Sequence, residues 1–500
     1  MGQRVLVWFG WVVTIVVALW LRLDDLDTRP IHFDEATGAR ILSERLQGDY
    51  NYNPKHFHGP VLSLAAAPIA RTAGEDNWED LTTGTLRIGV VAAGLLTVFT
   101  PLVWRRTIGP LGALGAGALL ATSPLLVYYN RMYIHESWLV LFGMLALASV
   151  YRLIHQPSLR TSLLAGLFIG LMFATKETFA ISVISWSVAS LIMLGVLKRS
   201  TERQVDLKTT AVWLAAGGAV AFAVGALIYS NFLSEPKVIL DAISSYFSYE
   251  TIPGHDKPAY YYLQLLIWPK HALGIWWTEG VILLLAAVSI ATCLRWRHTN
   301  SATCFVLIGT ILHFLIYSFI GYKTPWLILL PWAQVCLLAA FSLSRFFEFG
   351  MKARLLLLGL FAAGVFFQLE QSRYASLRFA NDGRNPYAYV PTKKDPARIQ
   401  SWLSELNTLK QVDSLEPIAV VGREYWPLPW YLREFKEIGY WPTTEQNFTS
   451  YPLVFSMPCE HVEISRHLAA THRAFIRGLR NNVSITLFLR NDIYEAWQSE

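Results

Sequence analysis

The chain has 500 residues, 53% of them hydrophobic, 14% aromatic and only 16% charged, with a mean hydropathy of +0.35. A water-soluble chain carries about 25% charged residues, so this composition excludes an ordinary cytosolic enzyme. The charge is also uneven: 29 of the 78 Lys, Arg, Asp and Glu residues lie in 371–500, a density of 22% against 13% before it. That pattern describes a membrane-embedded part, 1–370, followed by a soluble tail, 371–500.

The first apolar run, residues 5–21, can cross a bilayer, which takes about 20 mostly apolar residues. It lacks a small-residue cleavage site and is followed by charged residues, so it reads as a retained span rather than a signal peptide. A first loop, 22–85, follows. It holds an amphipathic helix over Asp34 to Leu46, with Ala39, Leu42 and Leu46 on one stripe, and a short apolar stretch, Pro60 to Ala70. Both are expected to lie at the bilayer surface. Further spans are expected at 86–104, 109–128, 134–152, 161–175, 178–197, 209–230, 274–294, 302–320, 325–344 and 354–370, about eleven in all. Ser162 to Leu197 is open to one span, two, or a re-entrant pair; the later basic loops favour two, broken at Thr175-Lys176-Glu177. The loop Asn231 to Lys270, rich in Tyr, Trp and Pro, reads as an interfacial cover. The tail alternates helix (396–409), strand (418–421), helix (427–436), strand (453–456), helix (465–479) and strand (485–490). The fold class is therefore an all-α polytopic membrane protein with a C-terminal small α/β domain.

Lys and Arg concentrate in cytoplasmic loops. They do so here at Arg4; Arg105 and Arg106; Arg152 and Arg160; Lys198, Arg199, Arg203 and Lys208; Arg295 and Arg297; and Arg345, Lys352 and Arg354. The N-terminus is then cytoplasmic and, after an odd number of spans, the tail is extracytoplasmic. This orientation accounts for most of the net charge of +6, and no nucleic-acid module is visible. Three of the four cysteines sit in or beside spans, leaving Cys459 alone in the tail, so the tail holds no internal disulfide.

With orientation set by the basic loops, the other charged groups fall on the opposite side. Asp34 and Glu35, His56 and His58, Arg87, Arg131 to Glu136, Lys176 and Glu177, and Tyr322 and Lys323 all come out extracytoplasmic. Each has a bland reading. Asp34-Glu35 can charge the first turn of a surface helix; His56-Phe57-His58 resembles a metal pair but has no third ligand at a telling spacing; Arg87, Arg131 and Lys176 can snorkel to the interface. The gathering of cations, carboxylates and imidazoles on one face is not explained by snorkelling, and ionisable residues at a membrane mark sites by default. Such a set suits group transfer from a lipid phosphate. A sugar leaving a polyprenyl phosphate passes through an oxocarbenium-like state; a carboxylate takes the proton from the attacking hydroxyl, and Arg and Lys stabilise the departing phosphate. No Gly-rich nucleotide loop is present.

The segment Arg29-Pro30-Ile31-His32-Phe33-Asp34-Glu35 after a first span resembles the first-loop acidic motif of GT-C type polytopic glycosyltransferases, the protein O-mannosyltransferase and aminoarabinose-transferase superfamily. His58-Gly59-Pro60-Val61 is similar to that superfamily's His-Pro-Pro-Leu segment, Leu86-Arg87 to its second-span arginine, Arg131 to Glu136 to its Ser-Arg segment with a following acid, and Ala174-Thr175-Lys176-Glu177 to its Thr-Lys segment. Thr175-Lys176-Glu177-Thr178, Tyr322-Lys323-Thr324-Pro325-Trp326 and Tyr425-Trp426-Pro427-Leu428-Pro429-Trp430-Tyr431 resemble a prokaryotic branch associated with flippase activity in N-glycosylation. Gly59 stands where the superfamily usually has Pro, and Glu136 replaces a clear Asp pair.

The resemblance implies Asp34 as catalytic base with Glu35 beside it, and Arg87, Arg131 and Lys176 as donor-phosphate contacts. Lys323 joins that phosphate set, and His58, Glu136, Glu177 and Tyr322 complete the site as substrate-binding residues. The expected partners are a polyprenyl-phosphate-linked sugar donor, the lipid bilayer, a glycan, lipid or protein acceptor, and membrane proteins of a glycosylation pathway. No cofactor is expected, and a divalent metal has no support in the residues. The expected location is a prokaryotic plasma membrane. The rival reading is a lipid-linked oligosaccharide flippase or its accessory protein, without catalysis; a third is a scaffold whose tail binds an enzyme. No internal repeat of the transporter kind is visible.

Overall fold

A computed structural model describes residues 2–200, 207–248, 254–295, 301–343, 350–409, 412–444 and 446–499. Arg203, Arg297 and Arg345 of the basic loops, and residues 249–253 of the expected interfacial cover, lie outside these segments.

The first part is built from α1 (Gly2–Leu23), α2 (Phe33–Gln47), α3 (Val61–Ala73), α4 (Thr83–Phe99), α5 (Arg105–Thr122), α6 (Pro124–Tyr129), α7 (Glu136–His155), α8 (Leu159–Phe173), α9 (Phe179–Ser200), α10 (Leu207–Tyr229), α11 (Val238–Ser248) and α12 (Tyr261–Leu266). A small antiparallel hairpin, β1 (Lys270–Ala272) and β2 (Ile275–Trp277), precedes α13 (Gly280–Arg295), α14 (Ser301–Phe319), α15 (Leu329–Ala339) and α16 (Met351–Arg373). Among the described residues, seven helical runs are long and apolar enough to cross a membrane: Arg4–Leu23, Thr83–Thr122, Glu136–His155, Ala211–Tyr229, Ser301–Phe319, Pro325–Leu343 and Met351–Arg378. The Thr83–Thr122 run is not straight. Gly109 sits at φ 71°, a conformation that L side chains avoid, with Pro110 after it, and α4 and α5 pack on each other. One apolar run thus holds two of the expected spans. Shorter apolar helices of 10–17 residues occupy Val61–Ala73, Leu159–Phe173, Phe179–Gly195 and Gly280–Ala291; the last three fall on expected spans. The uncertain stretch is two helices, α8 and α9, separated at 174–178.

The Pro325–Leu343 run is wholly enclosed and packs against α5, α7, α13 and α14, whereas α1 turns Val5, Leu6, Trp8, Phe9 and Val16 outward. Outward apolar side chains of this kind match a lipid solvent.

The tail comprises α17 (Asp395–Leu406), β3 (Ile418–Val421), α18 (Leu428–Tyr431), β4 (Ile438–Trp441), β5 (Leu453–Ser456), α19 (His461–Leu468), β6 (His472–Arg480), β7 (Val483–Arg490) and α20 (Asn491–Gln498). The sheet order is β4-β3-β5-β7-β6, with β4, β3 and β5 parallel and β7 and β6 antiparallel. The helix expected over Ser465 to Leu479 is corrected: α19 stops at Leu468, and 472–480 is a strand hydrogen-bonded to β7. The intervening Asn481-Asn482, with Asn482 at φ 65°, is a two-residue hairpin connection. The helix expected over 427–436 shrinks to α18, and β4 and α20 are additional.

Apolar packing joins the tail to the first part in at least two places. Trp430 and Tyr431, in the segment after β3, are buried in one cluster with Ala39 and Leu42 of α2 and Leu62 and Ala66 of α3. A strap from Ala375 to Tyr389 packs into the main helical core through Ala380, Tyr387 and Ala388.

Candidate functional site

The start of α2 places the two first-loop carboxylates. His32 is its N-cap: the Asp34 N–H donates to His32 Nδ1 at 3.2 Å, and the His32 N–H donates to Glu35 Oε2 at 2.9 Å, a reciprocal capping box. Since Nδ1 accepts, Nε2 carries the proton and donates to the Tyr389 carbonyl at 3.1 Å. Burial holds the ring neutral, with its pKa down at about 3.

From this turn the carboxylates diverge. Glu35 is 1% exposed, receives Arg87 through Nε (2.8 Å) and Nη2 (3.0 Å), and accepts the Tyr133 N–H at 2.9 Å. Burial would raise its pKa, but Arg87 outweighs that and holds it at about 2. Asp34 has a side chain 35% exposed, open to a recess yet surrounded by protein. Burial pushes its carboxyl up to about 7, against the pull of Lys176 and with help from Glu136 and Glu35.

Three further segments bound the recess. Glu136 begins α7 and pairs with Lys176 Nζ at 2.5 Å; both are nearly closed off, 4% and 8% exposed. His58 Nδ1 lies 2.8 Å from Glu177, with side chains 23% and 14% exposed. His135 faces His58 edge-on at 5.1 Å, and its Nε2 donates to the Gly59 carbonyl at 3.2 Å. Tyr322 and Tyr389 both lie within electrostatic reach of Asp34, and His255 Nδ1 bonds Tyr389 Oη at 2.6 Å. Among the described residues no three His, Cys, Asp or Glu side chains converge as a metal site.

Three of the expected phosphate contacts point elsewhere. Arg87 is 0% exposed and, besides Glu35, donates to the carbonyls of Leu26 and Arg29 at 2.7 and 3.0 Å. Arg131, 2% exposed, donates to the carbonyls of Leu21, Asp24 and Asp25. Both guanidiniums face inward and tie the end of α1 and the first loop to α4 and α7. Lys323 turns to the carbonyls of Lys257 and Ile320. Glu35 likewise has no open oxygen. Asp34, His58, Glu136, Lys176, Glu177 and Tyr322 do converge, and Asp34 is the most open carboxylate among them.

A family model described as dolichyl-phosphate-mannose-protein mannosyltransferase matches residues 58–229. ArnT from Cupriavidus metallidurans in the apo state superposes with a TM-score of 0.67 at 17% identity, covering 96% of this chain and 98% of that one. At this identity the match shows a shared fold over nearly the whole of both chains. The same ArnT bound to undecaprenyl phosphate superposes with a TM-score of 0.61 at 16% identity, covering 96% of this chain and 98% of that one. The oligosaccharyltransferase AglB from Archaeoglobus fulgidus, in complex with an inhibitory peptide and a dolichol-phosphate, aligns with a TM-score of 0.57 at 13% identity over 99% of this chain and 77% of that one. No curated protein matches the chain. The family match spans His58, Arg87, Arg131, Glu136, Lys176 and Glu177; Asp34, Glu35, Tyr322 and Lys323 lie outside it.

His32, His135, His255 and Tyr389 were not singled out from sequence. His32 and His135 lie inside the quoted motifs and were within reach; His255 and Tyr389 sit in segments without a motif. Glu279, buried beneath the N-terminus of α6 and bonded by Ser123, the Leu125 N–H and Trp332, was also missed.

Proposed function

We propose that this protein is a GT-C glycosyltransferase that transfers a sugar from a polyprenyl-phosphate donor to an acceptor on the extracytoplasmic face, with Asp34 as base. The observation that carries the reading is Asp34 itself: an open carboxylate, held by a capped helix start, in a recess whose other charges are paired. ArnT has been captured with undecaprenyl phosphate and AglB with dolichol-phosphate, which supports a lipid-phosphate donor here. The acceptor hydroxyl oxygen attacks the anomeric carbon, the bond from that carbon to the phosphate oxygen breaks, and the phosphate leaves with the electron pair. Asp34 receives the hydroxyl proton. Lys176, with one donor on Glu136 and two more to give, is the cation whose charge acts on Asp34, and we assign it the departing phosphate charge in place of Arg87 and Arg131. Arg87, Arg131 and Glu35 become positioning residues, and His58, Glu177 and Tyr322 line the sugar or acceptor side. The N-terminus is placed in the cytoplasm and the tail outside, in a prokaryotic plasma membrane.

The test is turnover of a polyprenyl-phosphate sugar by purified Asp34→Asn in detergent. Loss of a general base lowers turnover on the order of 10²- to 10⁴-fold, with melting unchanged. Wild-type turnover in Asp34→Asn sinks the assignment of the base. A wild-type protein that consumes no lipid-linked sugar in detergent, where there are no two sides to cross, favours the flippase reading.

A further inference from the structure

The seam between the end of α16 and the tail opens into a groove of about 800 Å³. Its walls are the end of the α16 run, the turn at 381–384, the start of α17 and the β6–β7 hairpin. The charges on these walls are not balanced. Asp382 is taken by Arg384 through Nε at 3.0 Å and Nη2 at 2.8 Å, and Asp395 accepts the Gly478 N–H at 2.8 Å and lies 3.6 Å from Arg398. Arg378 faces aromatic rings, those of Tyr374 at 5.4 Å and Phe379 at 5.3 Å. Among the described residues, the ion pairs include none by Arg378, Lys393 or Lys394. Three cations therefore share one concavity whose carboxylates are already engaged.

The depth of the groove says what meets them. The helical run Met351–Arg378 has 28 residues, about 42 Å at 1.5 Å per residue, against a hydrocarbon core of about 30 Å. A run of that length exceeds the hydrocarbon core by about 12 Å, enough to carry one end into the headgroup layer, and Arg378 is the last residue of the run. Basic residues at that level attract lipid phosphates. The groove is lined by neither Asp34 nor Lys176, although Lys393 follows Thr392, whose hydroxyl donates to the Ile31 carbonyl at 2.7 Å.

We propose that this groove is a second anion site, distinct from the Asp34 recess, that takes the phosphate of a membrane lipid headgroup, held by Arg378, Lys393 and Lys394. The full chain in detergent is titrated with dihexanoylphosphatidic acid, dihexanoylphosphatidylcholine and inorganic phosphate, and bound lipid is counted by native mass spectrometry. Phosphatidic acid is expected to bind at least tenfold tighter than phosphatidylcholine, and the Lys393→Gln/Lys394→Gln variant to lose that preference. Asp34→Asn is expected to bind phosphatidic acid as wild type does, so the result stands apart from the fate of the proposed base. Wild-type binding by the double variant, with Arg378→Gln equally without effect, overturns the site. Displacement of phosphatidic acid by an equal concentration of inorganic phosphate overturns the lipid as its source.

Discussion

Asp34 and Glu35 are adjacent carboxylates pushed to opposite ends of the carboxyl range. Glu35 is pinned near 2 by Arg87 and Asp34 is raised to about 7 by burial, and such divergence separates a structural acid from a proton acceptor. As the proposed base, Asp34 would act as its carboxylate, so the rate is expected to rise with pH through about 7 and to level above it. At pH 6, one unit below, about a tenth of the plateau rate is expected. In Glu136→Gln the nearby anion that raises Asp34 is gone, so the acid limb of kcat/KM against pH moves to lower pH; an unmoved limb assigns it to another group. Gly59 carries a second residue-scale consequence. A Cβ there would stand 2.1 Å from the Ala174 carbonyl oxygen, so the loop bearing His58 reaches the α8–α9 break only without a side chain. Gly59→Ala is expected to cost about 1–3 kcal/mol in stability and to lower turnover by pulling His58 from Glu177. Gly218→Ala, in open space, is the control, and thermal melting in detergent reads both.

At the scale of elements, the Arg87–Glu35 pair is the rivet between α2 and α4. Removing one partner of a buried pair leaves an uncompensated charge and costs about 3–5 kcal/mol. Arg87→Met is therefore expected to lower folded yield and melting temperature, with Arg87→Met/Glu35→Leu recovering part of the loss. A stable Arg87→Met whose only defect is a raised donor KM would restore the phosphate role read from sequence. The comparison also shows what a linear chain displays. The α8–α9 break was legible because Thr175-Lys176-Glu177 interrupts an apolar run, and α2 because its apolar stripe has helical spacing. The strand β6 was hidden: it is an edge strand with exposed residues such as Ile476, so no clean alternation of apolar and polar residues marks it. The residue types of the site were readable, but their pairing was not. Whether Arg87 faces a ligand or a carboxylate 52 residues away is settled only by folding.

At the scale of the whole molecule, the parallel strands send their carboxyl-end loop toward the first-loop helices. Trp430, 4% exposed, meets Trp78 edge-on at 5.6 Å, and Arg433 reaches the Glu79 carbonyl at 3.3 Å. Truncating a buried Trp to Ala costs about 3–5 kcal/mol. Trp430→Ala is expected to loosen the tail, seen as faster limited proteolysis of the strap, and to lower turnover without touching Asp34. Unchanged proteolysis would mean that the tail is held chiefly by the strap. The apolar outside of α1 and the enclosed α15 complete a body whose solvent is lipid along its sides and water only at its ends.

The histidine that caps α2 ties together moments far apart in the making of the protein. His32 leaves the ribosome early, but the carbonyl its Nε2–H donates to belongs to Tyr389, 357 residues later. Until synthesis has passed Tyr389, the turn that carries Asp34 lacks that partner. A nascent chain thus holds the proposed base before it holds the residue that fixes its turn, and the order of synthesis delays the site until the strap is in place.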